Sequence, residues 1–316
     1  MTVAGAPPRR AADPGQALKL PTFLILGANK GGTTSLHRYL AGHPQVFLPE
    51  EKEPHWFAPS RNAGDDPHAV RDADWLLPDG ARSRLWLADY AALFAGARPE
   101  QVALGEASTG YLTTRPVPER VHAVLPDARF VAILRDPAQR AWSEFLMMRR
   151  LGQEAGTDLA AIVRERPDTR YLQLSRYAAG LEEWFRWFPR ERFHLVRFED
   201  FVWDTARVVR DILGHIGVDP SVPLDTSENW NRGEGKVSLD PATHALLIEA
   251  LRPDILRLQD LLGWQVPAWL EPGPELFPPP TWFPRHPARR TGRFAGLRRR
   301  SSGPAAAPRG RGSRDR

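Results

Sequence analysis

FLILGANKGGTTSLHRYL, residues 23–40, joins three kinds of local structure in one short span. Phe23-Leu24-Ile25-Leu26 is an apolar run of the length of a buried strand. Gly27-Ala28-Asn29-Lys30-Gly31-Gly32 is a glycine-rich turn with one lysine. Thr33, Thr34 and Ser35 then supply an N-cap and first turn for a helix running to about residue 40. Strand, glycine turn and helix start together make an anion cradle. Glycines let the backbone close on a ligand, first-turn N–H groups have no intrahelical acceptor, and the helix dipole favours negative charge. Lys30 adds a full positive charge. Taken alone, the segment also fits a tight β–α turn with a solvated lysine.

The order of residues narrows the kind of phosphate. In the nucleotide triphosphatase loop, G-x-x-x-x-G-K-[ST], the lysine follows the second glycine. Here Gly27 and Gly32 have that spacing, but Thr33 occupies the lysine position and Lys30 precedes the glycine pair. That order, K-x-G-T-T-S, resembles the 5′-phosphosulfate loop of sulfotransferases that use 3′-phosphoadenosine 5′-phosphosulfate (PAPS).

A second pattern follows the apolar run 129–134: Arg135-Asp136-Pro137-Ala138-Gln139-Arg140-Ala141-Trp142-Ser143. Pro137 suits the first turn of a helix, which places Ser143 about two turns in. A guanidinium with a nearby hydroxyl suits a phosphate monoester. The alternative is Arg135 paired with Asp136 or Glu144, with Ser143 a neutral helix position. The pattern R-x-P-x-x-R-x-x-S resembles the 3′-phosphate signature of the same sulfotransferases. A third, Lys52-Glu53-Pro54-His55-Trp56-Phe57, resembles the segment carrying the catalytic base in the heparan-type carbohydrate branch.

The resemblance covers residues 22–264 and implies a PAPS-dependent enzyme. Lys30, Gly31, Gly32, Thr33, Thr34 and Ser35 would hold the 5′-phosphosulfate, and Arg135 and Ser143 the 3′-phosphate. Glu53 would take the acceptor proton, with His55 assisting or substituting. Transfer would be in line, with no metal. Trp56 and Phe57 are expected to exclude water and raise the Glu53 pKa towards neutrality. Arg232 and Lys236, in Asn231-Arg232-Gly233-Glu234-Gly235-Lys236, fall where such enzymes close a loop over the nucleotide. In Glu106-Ala107-Ser108-Thr109-Gly110-Tyr111, heparan-type enzymes have a lysine at the position of Ala107. That departure bears on the acceptor more than on the reaction. The acceptor class implied is a small-molecule, carbohydrate or natural-product hydroxyl or amine.

Outside the motifs, apolar runs at 45–48, 102–105, 129–134 and 193–198 read as strands. Helical spacing of apolar residues marks 86–94, 117–125, 137–151, 170–188, 205–216 and 242–262, the last kinked or divided at Pro253. Residues 59–83 read as a surface insertion, 219–240 as a loop, and 267–284 as an extended Trp- and Pro-rich segment. Alternating strands and helices imply right-handed βαβ units. The expected fold class is α/β, a P-loop-like three-layer α/β/α arrangement with a central, mainly parallel sheet. Ligands in such sheets sit beyond the C-terminal strand ends. Residues 30–35, 106–109 and Arg135 should therefore converge on one crevice.

At 316 residues the chain can bury a sizeable core. The expected organisation is a disordered extension over 1–20, a sulfotransferase domain over 21–284 and a disordered arginine-rich tail over 285–316. That tail holds eleven arginines against one acid, leaving 32 basic and 37 acidic residues before it out of 43 and 38. The net +5 is therefore a property of the tail, not of the body. No nucleic-acid partner is expected, the tail being the one candidate for such contact. No run approaches ~18 apolar residues, and the N-terminus lacks a signal-type apolar stretch. With no cysteine and no N-glycosylation sequon, the expected location is cytoplasmic. The nine histidines are scattered, so no metal site is expected.

Two other readings stay open. A P-loop kinase for a small metabolite or sugar would need a Mg²⁺-binding acid at a strand end, for which Asp136 is the candidate. A non-catalytic nucleotide- or nucleic-acid-associated protein would work through the basic tail.

Overall fold

The computed structural model describes residues 18–58, 81–228 and 238–271, the first six of the middle stretch by backbone alone. Five strands form the sheet: β1 Phe23–Gly27, β2 Val46–Phe47, β3 Ala103–Ala107, β4 Arg129–Leu134 and β5 Phe193–Arg197. Their order is β2-β3-β1-β4-β5 and every pairing is parallel. Strands buried on both faces read as continuous apolar runs, which is why FLILG and FVAIL lack polar alternation.

The pleat sends alternate side chains into two separate cores. Leu24 and Leu26 of β1, with Phe130, Ala132 and Leu134 of β4, enter one; Phe23, Ile25, Val131 and Ile133 enter the other. The second face is covered by α1 Thr33–Ala41, α8 Phe198–Trp203 and α9 Thr205–Ile216. The first is covered by α3 Val117–Val124, α4 Pro137–Arg150, α5 Leu159–Glu165, α6 Arg170–Gln173, α7 Tyr177–Trp187 and α10 Pro241–Leu262. One further helix, α2 Ala81–Ala92, places Tyr90 in this core as well. Helices on both faces of a parallel sheet make the expected three layers. Each fully buried Leu, Ile or Phe contributes about 1.5–3 kcal/mol.

Several expected boundaries change. Gly32 caps α1, in place of Thr33, because its φ of 85° turns the chain in the left-handed region. The helix expected over 170–188 is two, α6 and α7. Ser175 stands between them, donating to the Pro137 carbonyl (3.0 Å) and accepting from Arg140 Nε (2.6 Å). Helix α5 begins where Asp158 accepts from the amides of Ala160 and Ala161 at 2.8 and 3.2 Å. Helix α8 arises directly from β5, across Glu199 and Asp200. Pro253 does not divide α10, and the next residue, Asp254, caps α7 through Ala178 N at 3.0 Å and Ala179 N at 3.2 Å. Pro267–Trp269, at the start of the segment expected to be extended, is a 3₁₀ turn, and residues 272–284 of that segment lie outside the described residues. Residues 1–17 of the N-terminal extension, most of the 59–83 insertion and the arginine-rich tail, with the expectations of disorder placed on them, lie outside the described residues.

Candidate active site

The three clusters meet where the strands end. The Gly27–Gly32 turn folds back on β4 through Ala28 N to the Ile133 carbonyl (2.8 Å) and closes through Gly31 N to the Ala28 carbonyl (2.9 Å). A Cβ at Gly31 would lie 2.5 Å from that same Ile133 oxygen, so only glycine permits the approach. No side chain caps α1. Its first-turn N–H groups, which lack intrahelical acceptors, thus face the strand ends.

Lys30 sits at φ 69° with Nζ 3.4 Å from Met147 Sδ on α4. Burial lowers its pKa, and the charges of Arg135 and Arg150 lower it further. Arg135 Nη1 reaches the Lys30 carbonyl at 3.4 Å, and its guanidinium lies 5.1 Å from the centre of the Phe198 ring. Burial pushes Arg135 down as well. Neither cation is within ion-pair reach of a carboxylate among the described residues. Glu144 is fully committed to Arg140 (2.6 Å) and Arg170 (2.8 Å). Asp136 turns inward, its Oδ1 capping α4 through Ala138 N (2.8 Å) and Gln139 N (3.0 Å). The alternative pairings of Arg135 with Asp136 or Glu144 are thus not formed as hydrogen-bonded ion pairs, although the Arg135 and Asp136 charges act on each other. Two crowded cations, a glycine cradle and an uncapped helix start fit a phosphate-bearing ligand such as PAPS. Ser143 is partly buried one turn before Met147, on the face of α4 that meets Lys30.

Glu53 lies beside this pocket on a loop docked against β3. Its N–H donates to the Ala107 carbonyl (2.9 Å), and Thr109 returns three bonds to its carboxylate. These are N–H to Oε2 at 2.9 Å and Oγ1 to Oε1 and Oε2 at 3.0 and 2.9 Å. Lys52 Nζ is 2.7 Å from Oε1 and His55 Nε2 is 3.3 Å from Oε2. The loop bends through left-handed φ values of 65° at Glu53 and 50° at His55, unusual for residues with a Cβ. Burial acts to raise the Glu53 pKa, but the Lys52 charge and bond, the Thr109 amide and His55 outweigh it. The net shift is downward. This corrects the expected rise. Trp56 stacks on Tyr90 at 5.2 Å, and Phe57 packs edge-on against Tyr90 and Tyr111 at 5.3 and 5.9 Å. The aromatic neighbours in sequence therefore face the core.

A profile of the sulfotransferase family matches residues 21–221, a span that contains β1 through α9 and every loop just described. The chain belongs to the sulfotransferase family. It is similar to heparan sulfate glucosamine 3-O-sulfotransferase 6 of Homo sapiens, 29% identical over 66% of this chain and 55% of that protein. A second similar protein is heparan sulfate glucosamine 3-O-sulfotransferase 3A1 of Homo sapiens, 30% identical over 67% of this chain and 49% of that one. The chain thus spans about half the length of these curated relatives. Among solved structures, a sulfotransferase from Alicyclobacillus acidocaldarius superposes with a TM-score of 0.63 at 29% identity. That likeness covers 79% of this chain and 99% of the other.

In this sulfotransferase-family chain the structure brings together Lys30, Gly31, Gly32, Thr33, Thr34, Ser35 and Arg135, with Ser143 on the adjoining helix face. Glu53 and His55 form a second cluster beside them. Arg232 and Lys236 lie outside the described residues; the chain leading to them is tied down by Tyr39 OH to the Glu228 carbonyl at 2.6 Å. Arg140 is fully buried and structural, linking α4 to Ser175 and the Tyr171 carbonyl. Thr109 falls in the 106–109 cluster expected at the crevice, but the sequence does not show that it holds Glu53. Its signal was present, a hydroxyl directly after a strand end, but its partner lies 56 positions earlier. Ala107 packs in the second core and supplies only its carbonyl to the site. No described helix is long and apolar enough to cross a membrane.

Proposed function

We propose that this protein transfers a sulfuryl group from PAPS to a hydroxyl or amine of a carbohydrate or natural-product acceptor. One observation carries the reading: two cations that have no carboxylate within ion-pair reach among the described residues, Lys30 and Arg135, flank an uncapped helix start beside a carboxylate. The carbohydrate acceptors in the relatives' names support the acceptor class.

PAPS, when bound, would supply the sulfuryl group and leave as the bisphosphate. Lys30 and the α1 first-turn amides provide fixed positive charge where the leaving phosphate oxygen would gain negative charge. An anion there also relieves the mutual repulsion of Lys30 with Arg135 and Arg150. Arg135 and Ser143 would hold the 3′-phosphate. Glu53 is ionised at neutral pH and accepts the proton as the acceptor O–H or N–H bond gives way to the bond to sulfur. Lys52 and Thr109 hold its carboxylate in one orientation, trading basicity for position.

The reading is tested by transfer of radiolabelled sulfate from PAPS to a de-O-sulfated heparin-type oligosaccharide and to a panel of hydroxylated natural products. Label should reach an acceptor with the wild type and fall to background with Glu53→Gln. Labelling that persists in Glu53→Gln would remove Glu53 as the base.

A further inference from the structure

The described residues include a buried acid that the reaction above does not use. Glu106, on β3, is fully buried. Tyr90 OH donates to its Oε1 at 3.0 Å, and Ser108 Oγ donates to its Oε2 at 3.0 Å. The Tyr111 hydroxyl lies near enough to this carboxyl to act on its charge. Ser108 and Tyr111 also hold the base loop. Ser108 Oγ accepts from the His55 N–H at 3.0 Å, and Tyr111 OH accepts from the Phe57 N–H at 3.0 Å. Tyr90 is the ring on which Trp56 stacks. Glu106 thus stands behind the Glu53–Phe57 turn, and every route from it to that turn is one side chain long.

The geometry assigns Glu106 as a positioning residue whose ionised carboxylate orients Ser108 and Tyr90 so that they hold the Glu53 loop in its working conformation. This rests on the reading of Glu53 as the base. A carboxylate is an acceptor only. Facing one, the Ser108 hydroxyl points its hydrogen at Glu106, which leaves its lone pairs for the His55 amide. A protonated Glu106 competes as a donor and frees that hydroxyl to turn away from its amide. The loop needs external holding because Glu53 and His55 both occupy left-handed backbone conformations.

The titratable groups facing Glu106 are Tyr90 from α2, Tyr111 from the turn after β3, and Glu53 from the loop itself. Burial raises the Glu106 pKa to about 7; the hydroxyls of Tyr90, Ser108 and Tyr111 oppose the rise, and the Glu53 charge adds to it. The base, in contrast, is held below its usual range. A loss of turnover on acidification through about 7 would therefore report Glu106 and not Glu53.

The test uses the full chain, PAPS and the same heparin-type oligosaccharide, with Glu106→Gln and Tyr90→Phe beside the wild type. Wild-type kcat should rise with pH through about 7. In Glu106→Gln that limb should vanish and kcat should fall roughly ten- to a hundred-fold, with affinity for 3′-phosphoadenosine 5′-phosphate unchanged. Tyr90→Phe removes a donor that favours the ionised form, so its limb should move to higher pH. Hydrogen exchange at residues 52–58 should be faster in Glu106→Gln than in wild type at pH 8, and equal at pH 5. If Glu106→Gln does not fold, the Tyr90→Phe shift decides. Wild-type exchange and an unmoved limb in the variants would overturn the assignment. If no acceptor is labelled, the function reading fails, while the exchange comparison still judges Glu106.

Discussion

The Lys30 turn docks on β4 and the Glu53 loop on β3, the two strands that flank β1, yet the fold leaves their charges in opposite conditions. Lys30 is crowded by Arg135 and Arg150, and burial lowers Arg135 although the charges of Asp136 and Glu199 oppose that shift; their nearest partners are a thioether and a carbonyl. Glu53 is saturated: an ammonium, an amide, a hydroxyl and an imidazole all reach its carboxylate. The first region holds positive charge that nearby Glu144, Asp136 and Glu199 offset only in part, so an incoming anion adds to its stabilisation. The second is complete before any ligand arrives, so its chemistry is set by the residues that hold it. A binding site and a catalytic group built side by side are thus distinguished by what each lacks.

Substitutions can break or sharpen this contrast. The largest effect is expected from Glu53→Gln, which keeps shape and removes the base: kcat should fall by about 10²–10⁴ with bisphosphate affinity intact. Lys30→Ala removes one charge at the leaving group and should lower kcat/KM by roughly 10²–10³, measured at saturating acceptor. Arg135→Ala should weaken binding of 3′-phosphoadenosine 5′-phosphate by about ten- to a hundred-fold in calorimetry, the worth of one charge-assisted bond. Lys52→Met should have the smallest effect and the clearest sign. Glu53 works when ionised, so its contribution to activity is lost as pH falls through its depressed pKa. Without the Lys52 charge that pKa rises, so in a Glu106→Gln background, where the limb near 7 is absent, the remaining acid limb should move to higher pH. The same logic governs stability. A depressed carboxyl stabilises the fold above the ordinary range and loses that contribution on acidification. The midpoint of acid unfolding should therefore move up in Lys52→Met.

How much of this was legible in the sequence follows from where each signal resides. β1, its glycine turn and β4 are legible because a doubly buried parallel strand must be an uninterrupted apolar run. Helix α9 runs over the residues its spacing predicts, carrying Val208, Val209, Ile212, Leu213 and Ile216 into the core. Helix α5 depends on one capping aspartate, and the α6–α7 break on Ser175 held by Arg140 from a different helix. Neither feature has a periodic signature. The environment of Glu53 was misread for the same reason. Its sequence neighbours Trp56 and Phe57 turn to Tyr90 and Tyr111, while its pKa is governed partly by Thr109, far along the chain. Glu106 was placed after its strand; it lies within β3, where the pleat turns it inward with Leu104.

The central claim is that the positive cluster is a site for a 3′,5′-bisphosphate. Calorimetric titration of 3′-phosphoadenosine 5′-phosphate, beside ATP with Mg²⁺, on wild type, Lys30→Ala and Arg135→Ala tests it most directly. The account predicts micromolar binding of the bisphosphate, weakened in both variants, with ATP bound far less well. Preference for ATP, or bisphosphate binding indifferent to Arg135, would contradict it.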